Sequence, residues 1–172
     1  MKTRAWGAVL VAACLLAVPA AAQNDSDTVI PRNGGFKVMS GDSVRFGKRT
    51  LRLFGIEAPA KGQTCDDGAW QPAPLATQAL TDFIAGRPVA CYQVETDKAK
   101  RPVVQCFVGE DDIQAYMVTS GWAWAVPQKK DRYVEDQRDA EKRKVGVHAH
   151  RCELPWVWRA KNPPAQQANR PR

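Results

Sequence analysis

Residues Ser40 to Gln63 read SGDSVRFGKRTLRLFGIEAPAKGQ, and this stretch decides the fold class. Short β-branched and apolar runs alternate here with glycine-containing turns, at Gly41 and at Gly47-Lys48. Such runs, bounded by glycine, are typical of short β-strands. The predicted strands are Phe36–Met39, Ser43–Phe46 and Arg49–Ile56.

Two further strand-like runs and three helical patterns follow along the chain. The runs Val89–Glu95 and Val103–Val108 flank a polar turn, as two paired strands do. Apolar residues at helical spacing, with proline near a start and glycine after an end, indicate the helices. The predicted helices are Leu75–Ile84, a second one between Asp112 and Gly121, and Lys129–Lys144. Five strands with interspersed helices predict an α+β fold, a five-stranded OB-fold β-barrel with about three helices.

Composition limits the class of protein. The chain has 172 residues, of which 44% are hydrophobic and 25% are charged. These values suit one globular domain and exclude a disordered, collagen-like or polytopic membrane protein. Lys and Arg together number 25 against 18 acidic residues, so the formal net charge is +7.

The N-terminus has the pattern of a secretory signal peptide, predicted over residues 1–22. Lys2 and Arg4 form a charged start, Ala5–Val18 is apolar, and Ala20-Ala21-Ala22 offers a small-residue cleavage site. We therefore expect an exported protein, periplasmic or secreted. The alternative is an N-terminal anchor helix that stays attached.

The remaining chain divides into three predicted parts. They are an N-terminal extension over residues 23–34, the folded domain over 35–160, and a tail over 161–172. The tail is rich in Pro, Gln and Arg, a composition that predicts disorder.

Cysteine usage agrees with export. Beyond the signal peptide the chain has an even number of cysteines, which favours disulfides in an oxidising compartment: Cys65, Cys91, Cys106 and Cys152. With a turn centred between Lys98 and Ala99, the two flanking strands pair so that Cys91 lies opposite Cys106. Facing residues have Cβ atoms about 4.5–5.5 Å apart, which a disulfide can close. Pairing of Cys65 with Cys152 then follows by elimination.

Three segments in order resemble the staphylococcal-nuclease-like (thermonuclease) family. They are Ser40–Gln63, the turn segment TDKAKRPVVQC at Thr96–Cys106, and GWAWAV at Gly121–Val126. The most specific pieces are Gly-Asp-Ser, then Arg-Leu-x-Gly-Ile-acid-Ala-Pro, then Asp-Lys-x-x-Arg. The resemblance covers roughly Phe36 to Trp158. It implies an OB-fold barrel with three helices, and active members are calcium-dependent phosphodiesterases that cut DNA and RNA.

The resemblance also implies a metal site and a phosphate clamp. Asp42 matches the first metal carboxylate, Glu57 stands where the family usually has Asp, and Ala58 offers a backbone carbonyl to Ca²⁺. Arg52 and Arg101 match the two arginines of the clamp, a task that suits a planar guanidinium. Without the family, Asp42 is a turn residue and Arg101 a solvated turn cation. Arg52 and Glu57 would then form an ion pair across a strand.

Ala60 departs from the family pattern. The family places a Glu at the end of acid-x-Pro-Glu, whereas this chain has Glu57-Ala58-Pro59-Ala60. An alanine side chain can neither accept a proton nor hold a water, and losing a general base costs about 10²–10⁴-fold in rate. Asp66 or Asp67 in the following loop is the alternative base. The turn departs as well, because Ala99-Lys100 replaces the family's Tyr-Gly.

Other residue clusters have weaker interpretations. His148, His150 and Cys152 form an H-x-H-x-C run that suits zinc or copper, although Cys152 is also expected in a disulfide. Four tryptophans suit either base stacking or core packing, with core packing favoured: Trp122, Trp124, Trp156 and Trp158. A basic cluster suits either phosphate attraction or a protected strand edge: Arg45, Lys48, Arg49, Arg52 and Lys61.

Together these features predict a phosphate- and calcium-binding scaffold for nucleic acid, DNA or RNA, with weak Ca²⁺ binding. Hydrolysis is predicted to be weak or absent because of Ala60. The alternatives are an active calcium-dependent endonuclease with a rearranged site, or an OB module that binds a protein or another anion. We expect a monomer.

Overall fold

The structure is a computed structural model that describes residues 36–126 and 131–163. The predicted signal peptide (1–22), the predicted extension (23–34) and residues 164–172 of the predicted tail lie outside the described residues. Within the described ranges, no helix is long and apolar enough to cross a membrane.

Eight strands and four α-helices make up the described chain. The strands are β1 (Phe36–Ser40), β2 (Ser43–Phe46), β3 (Arg49–Leu53), β4 (Ile56–Glu57), β5 (Val89–Thr96), β6 (Pro102–Val108), β7 (Asp111–Asp112) and β8 (Trp124–Ala125). The helices are α1 (Pro72–Ile84), α2 (Ile113–Thr119), α3 (Val134–Arg143) and α4 (Pro155–Lys161). Short 3₁₀ helices lie at Asp66–Gly68 and Gly146–Ala149.

The strands form one mixed sheet in the order β1-β2-β3-β6-β5, with β7 beside β6. All pairs in it are antiparallel except β3 with β6, which run parallel. A second, two-stranded sheet joins β4 and β8. This α+β arrangement confirms the predicted fold class, with strands and helices in the predicted order.

The predicted strand Arg49–Ile56 is in fact two strands, β3 and β4. The chain turns at Gly55, whose φ of 72° is a conformation that glycine adopts at little cost. The turn carries Ile56 and Glu57 out of the main sheet to pair with Ala125 and Trp124. Because β3 and β4 are separate strands, Arg52 and Glu57 belong to different sheets.

The core lies between the sheet and helices α1 and α2. Helix α1 buries Ala76, Leu80 and Ile84, which recur every four residues as an amphipathic helix requires. From the sheet, Leu51 and Val104 are fully buried against them.

Helix boundaries agree with the sequence at some ends and differ at others. Helix α2 begins after Asp112 as predicted, because the Asp112 carboxylate accepts hydrogen bonds from two free amides of the first turn. The predicted third helix, Lys129–Lys144, has its first two residues outside the described residues and does not run through the next three. Residues 131–133 form a turn, Asp131 has a φ of 50°, and α3 begins only at Val134. Helix α4 was not predicted at all.

Both predicted disulfides are present. Cys91 lies opposite Cys106 in the β5–β6 register, and the two are bonded. The register shifts by one residue only beyond them, between Gln93 and Glu95. The bond between Cys65 and Cys152 spans 87 residues and fastens the segment before α4 to the loop before α1.

Candidate functional site

A cleft of about 680 Å³ opens where the β3–β4 turn, the β5–β6 turn and α4 meet. Its charged lining is mixed in sign. The basic side chains are Arg52, Lys98, Arg101 and Arg159, and the acidic ones are Glu57, Glu95 and Asp97. The structure thus brings three predicted site residues together, Arg52, Glu57 and Arg101. Ala58 and Ala60 are not among the lining residues.

Asp42 lies behind Arg52 and fixes it. One oxygen of its carboxylate lies 3.2 Å from the Arg52 guanidinium, and the other accepts a 2.6 Å hydrogen bond from Ser40. The Asp42 side chain is only 9% exposed, whereas Arg52 remains 28% exposed toward solvent. The pair therefore holds a guanidinium in place from its buried side and leaves part of it open.

The turn that carries Asp42 packs too closely for a larger residue at Gly41. A Cβ added there would lie 2.9 Å from the Cβ atoms of both Ala58 and Ala76. The Asp42 carbonyl accepts a 2.9 Å hydrogen bond from the Leu53 amide, which ties the turn to β3. Glycine at this position thus lets Asp42 approach the strand that presents Arg52.

Arg101 is positioned by the turn between β5 and β6. Its Nε donates to the Asp97 carboxylate at 2.7 Å, and its own amide donates to the same carboxylate at 2.9 Å. The hydrogen bond from the Arg101 backbone N–H lowers the pKa of Asp97, and the hydrogen bond from the Arg101 guanidinium lowers it further. The carboxylate is therefore charged at neutral pH. Lys100 stands where the family has glycine and takes a φ of 60°. Arg101 keeps a 44% exposed side chain at the cleft.

Glu57 is paired with Arg159, a residue that the sequence did not point to. The Glu57 side chain is 12% exposed and contacts the Arg159 guanidinium, whose side chain is 43% exposed. Pairing of β4 with β8 sets Glu57 opposite Trp124, so the carboxylate has a fixed place. Two features of the sequence could have predicted α4, the helix that carries Arg159. They are a proline at the start, Pro155, and basic residues in the last turn.

Several contacts hold α4, and hence Arg159, against the domain. The fully buried Gln63 donates through Nε2 to the Glu153 carbonyl at 2.7 Å. The Cys65–Cys152 disulfide lies just before the helix, and Trp158 within it is buried. Arg159 therefore extends from an anchored element and not from a loose C-terminal segment.

A comparison with protein families decides the identity of this domain. A family model described as staphylococcal nuclease homologue matches residues 50–150. The chain belongs to this family. No match was found among curated proteins. The matched region of this staphylococcal nuclease homologue includes Arg52, Glu57, Ala60 and Arg101, whereas Arg159 lies beyond it.

Ala60, which the sequence resemblance aligns with a glutamate of the family, does not face the cleft. Ala60 is largely buried, and its amide donates to the Gln63 side chain at 2.9 Å. The alternative bases are engaged elsewhere. The Asp66 carboxylate is hydrogen-bonded to the Arg151 backbone N–H and, at 2.6 Å, to His150 Nδ1. Both hydrogen bonds lower the pKa of Asp66, and the one from the Arg151 N–H has the larger effect. Neither Asp66 nor Asp67 lines the cleft.

The two carboxylates predicted to bind calcium, Asp42 and Glu57, are each paired with an arginine in this arrangement. Ca²⁺ takes six to eight oxygen ligands, whereas Asp42 is engaged by Arg52 and Glu57 by Arg159. Across residues 36–126 and 131–163, no group of three His, Cys, Asp or Glu side chains is placed to hold a metal ion. The Ala58 amide donates weakly to Asp42, at 3.4 Å.

Members of two other sequence clusters have structural contacts. Cys152 is bonded to Cys65 and His150 stacks on Trp70, so the H-x-H-x-C run is not assembled around a metal. Trp124 and Trp158 are buried, which confirms the favoured core-packing role for these two.

Proposed function

We propose that this staphylococcal nuclease homologue binds the phosphodiester backbone of nucleic acid in the cleft and hydrolyses it weakly or not at all. The observation that carries the proposal is the convergence of Arg52, Arg101 and Arg159 on one cleft. Guanidinium groups form paired hydrogen bonds with phosphate, and their charge supplies most of the sequence-independent affinity for nucleic acid. The family membership supports the same class of ligand.

We infer weak or absent hydrolysis from Ala60, at the position where the resemblance expects a catalytic glutamate. Phosphodiester hydrolysis needs a group that positions or deprotonates the attacking water. Ala60 supplies none, and Asp66 and Asp67 are bonded outside the cleft. Calcium binding is proposed to be weak, because Ca²⁺ would have to compete with two arginines for Asp42 and Glu57.

We also propose that the protein is exported and acts as a monomer. The apolar N-terminal segment has the features of a signal peptide, and two disulfides suit an oxidising compartment. A nucleic-acid-binding protein in that setting would meet DNA or RNA outside the cytoplasm.

Fluorescence anisotropy with a short labelled single-stranded DNA tests the proposal. Arg52→Ala and Arg101→Ala are expected to weaken binding about tenfold each, because a charge-assisted hydrogen bond contributes about 1.5–3 kcal/mol. Arg138→Ala is the control, since Arg138 is an exposed helical residue paired with Glu135 away from the cleft. Equal affinities for all three variants would overturn the proposal. Absence of binding by the wild type would favour an OB module for a different partner.

A further inference from the structure

We propose that Arg159 takes the place of a divalent cation beside Glu57, so that the cleft binds a phosphodiester backbone without calcium. The nucleic-acid part of this inference rests on the proposed function. The competition between Arg159 and calcium for Glu57 can be measured independently of it.

Burial of Glu57 demands a positive partner. Its side chain is 12% exposed, and a carboxylate so far removed from water is costly unless a cation compensates it. In a calcium enzyme the metal would supply that charge. Here the Arg159 guanidinium contacts the Glu57 carboxylate and supplies it from within the chain.

Arg159 has hydrogen-bonding capacity to spare after pairing with Glu57. A guanidinium carries five N–H donors in a planar fork, and a carboxylate engages at most two of them in a bidentate pair. The Arg159 side chain lines the cleft and is 43% exposed, so donors remain available to a phosphate oxygen. One residue can therefore satisfy Glu57 and bind an anion, as a bridging metal ion does.

The anchoring of α4 makes this arrangement available before any ligand binds. The Cys65–Cys152 disulfide, the Gln63–Glu153 hydrogen bond and buried Trp158 hold the helix. A group already held in its binding position loses little conformational entropy when a ligand binds.

Calcium and Arg159 then compete for the same carboxylate. Ca²⁺ affinity depends on the number of charged oxygen ligands that are free to coordinate it. Removing Arg159 leaves Glu57 buried without its partner and open to a metal ion. Lys161 lies two residues after Arg159 in α4 and is paired with Glu153. Its removal takes away the same charge but leaves Glu57 paired with Arg159.

Calorimetric titration with CaCl₂ is the first test. Arg159→Ala is expected to bind Ca²⁺ about tenfold more tightly than the wild type, because one more charged ligand is free. Lys161→Ala is the matched control and should bind Ca²⁺ as the wild type does. Arg159→Lys keeps a positive charge beside Glu57 and should also stay close to the wild type. Equal Ca²⁺ affinities for Arg159→Ala and Lys161→Ala would overturn the inference.

Binding of the labelled oligonucleotide, with EDTA and with Ca²⁺, is the second test. The wild type should bind equally in both conditions. Arg159→Ala should bind about tenfold more weakly in EDTA and recover in Ca²⁺. Tighter wild-type binding in Ca²⁺ would overturn the inference while leaving the proposed function intact. No wild-type binding in either condition would overturn the proposed function, and the calcium titration would still decide the competition at Glu57.

Discussion

Asp42 and Arg52 form an ion pair of 3.2 Å that is closed to water on the carboxylate side and open on the guanidinium side. Asp42 also accepts hydrogen bonds from Ser40 and from the Ala58 amide. The carboxylate that the sequence resemblance predicts to bind calcium is thus paired with an arginine here. Glu57 and Arg159 repeat the same relationship across the cleft.

Asp42→Asn is expected to destabilise the domain by about 1–3 kcal/mol, because it leaves the charge of Arg52 without its buried partner. It should also weaken oligonucleotide binding, since Arg52 loses its support. Urea denaturation and anisotropy measure the two effects. Glu135→Gln is the control, because Glu135 belongs to an exposed helical pair whose loss costs less than about 1 kcal/mol. An Asp42→Asn variant as stable as that control would contradict the account.

The two disulfides are expected to contribute differently to binding. Loss of Cys65–Cys152 by serine substitution should cost about 4–5 kcal/mol and loss of Cys91–Cys106 about 3 kcal/mol, since the first closes the longer loop. The first holds the segment that carries Arg159, whereas the strands joined by the second stay paired through their backbone, so the first loss should weaken oligonucleotide binding more. The measurement is anisotropy at a temperature where both variants are folded by circular dichroism. Equal weakening in both variants would show that α4 does not depend on the disulfide.

Stability is expected to fall as the pH drops through the histidine range. His148 is half-buried, its Nε2 has no hydrogen-bond partner among the described residues, and burial lowers its pKa below the ordinary value of 6.5. The unfolded chain therefore takes up a proton at a higher pH than the folded chain does, which favours unfolding below pH 6.5. Urea denaturation of the wild type and of His148→Gln between about pH 7.5 and 5 checks this. The stability difference between the two should change with pH; a constant difference would contradict it.

Efficient calcium-dependent cleavage is expected to need two changes. Ala60→Glu supplies a carboxylate at residue 60, and Arg159→Ala frees Glu57 for calcium. The double variant should cleave single-stranded DNA in Ca²⁺ about 10²–10⁴-fold faster than Arg159→Ala, the range for gaining a general base. It should also cleave faster than Ala60→Glu, because Glu57 is then free for calcium. Equal rates for Ala60→Glu and the double variant would show that Arg159 does not oppose the metal. No cleavage by the double variant would show that residue 60 is not the missing group.

Local pattern predicted much of the fold. Glycine-bounded runs located β1, β2 and β3, and strand pairing placed Cys91 opposite Cys106. The family resemblance, and not the local pattern, selected Arg52 and Arg101, which both line one cleft.

The partners of these residues were not predictable in the same way. Arg52 and Glu57 do not lie on one strand, because the chain turns at Gly55. Arg52 forms its ion pair with Asp42 instead. Arg159 went unnoticed because a helix of seven residues has too little periodicity to stand out. Its contact with Glu57 joins residues far apart in the chain, which no local pattern records.

The most direct test of the account follows binding and integrity of one labelled oligonucleotide in the same sample. The wild-type protein is mixed with single-stranded DNA in Ca²⁺, anisotropy is recorded, and the DNA is then sized on a denaturing gel beside an EDTA sample. The account predicts raised anisotropy, reduced in an Arg52→Ala/Arg101→Ala variant, and DNA that stays intact in both samples. DNA shortened efficiently in Ca²⁺ but not in EDTA, by the wild type and not by that variant, would contradict it.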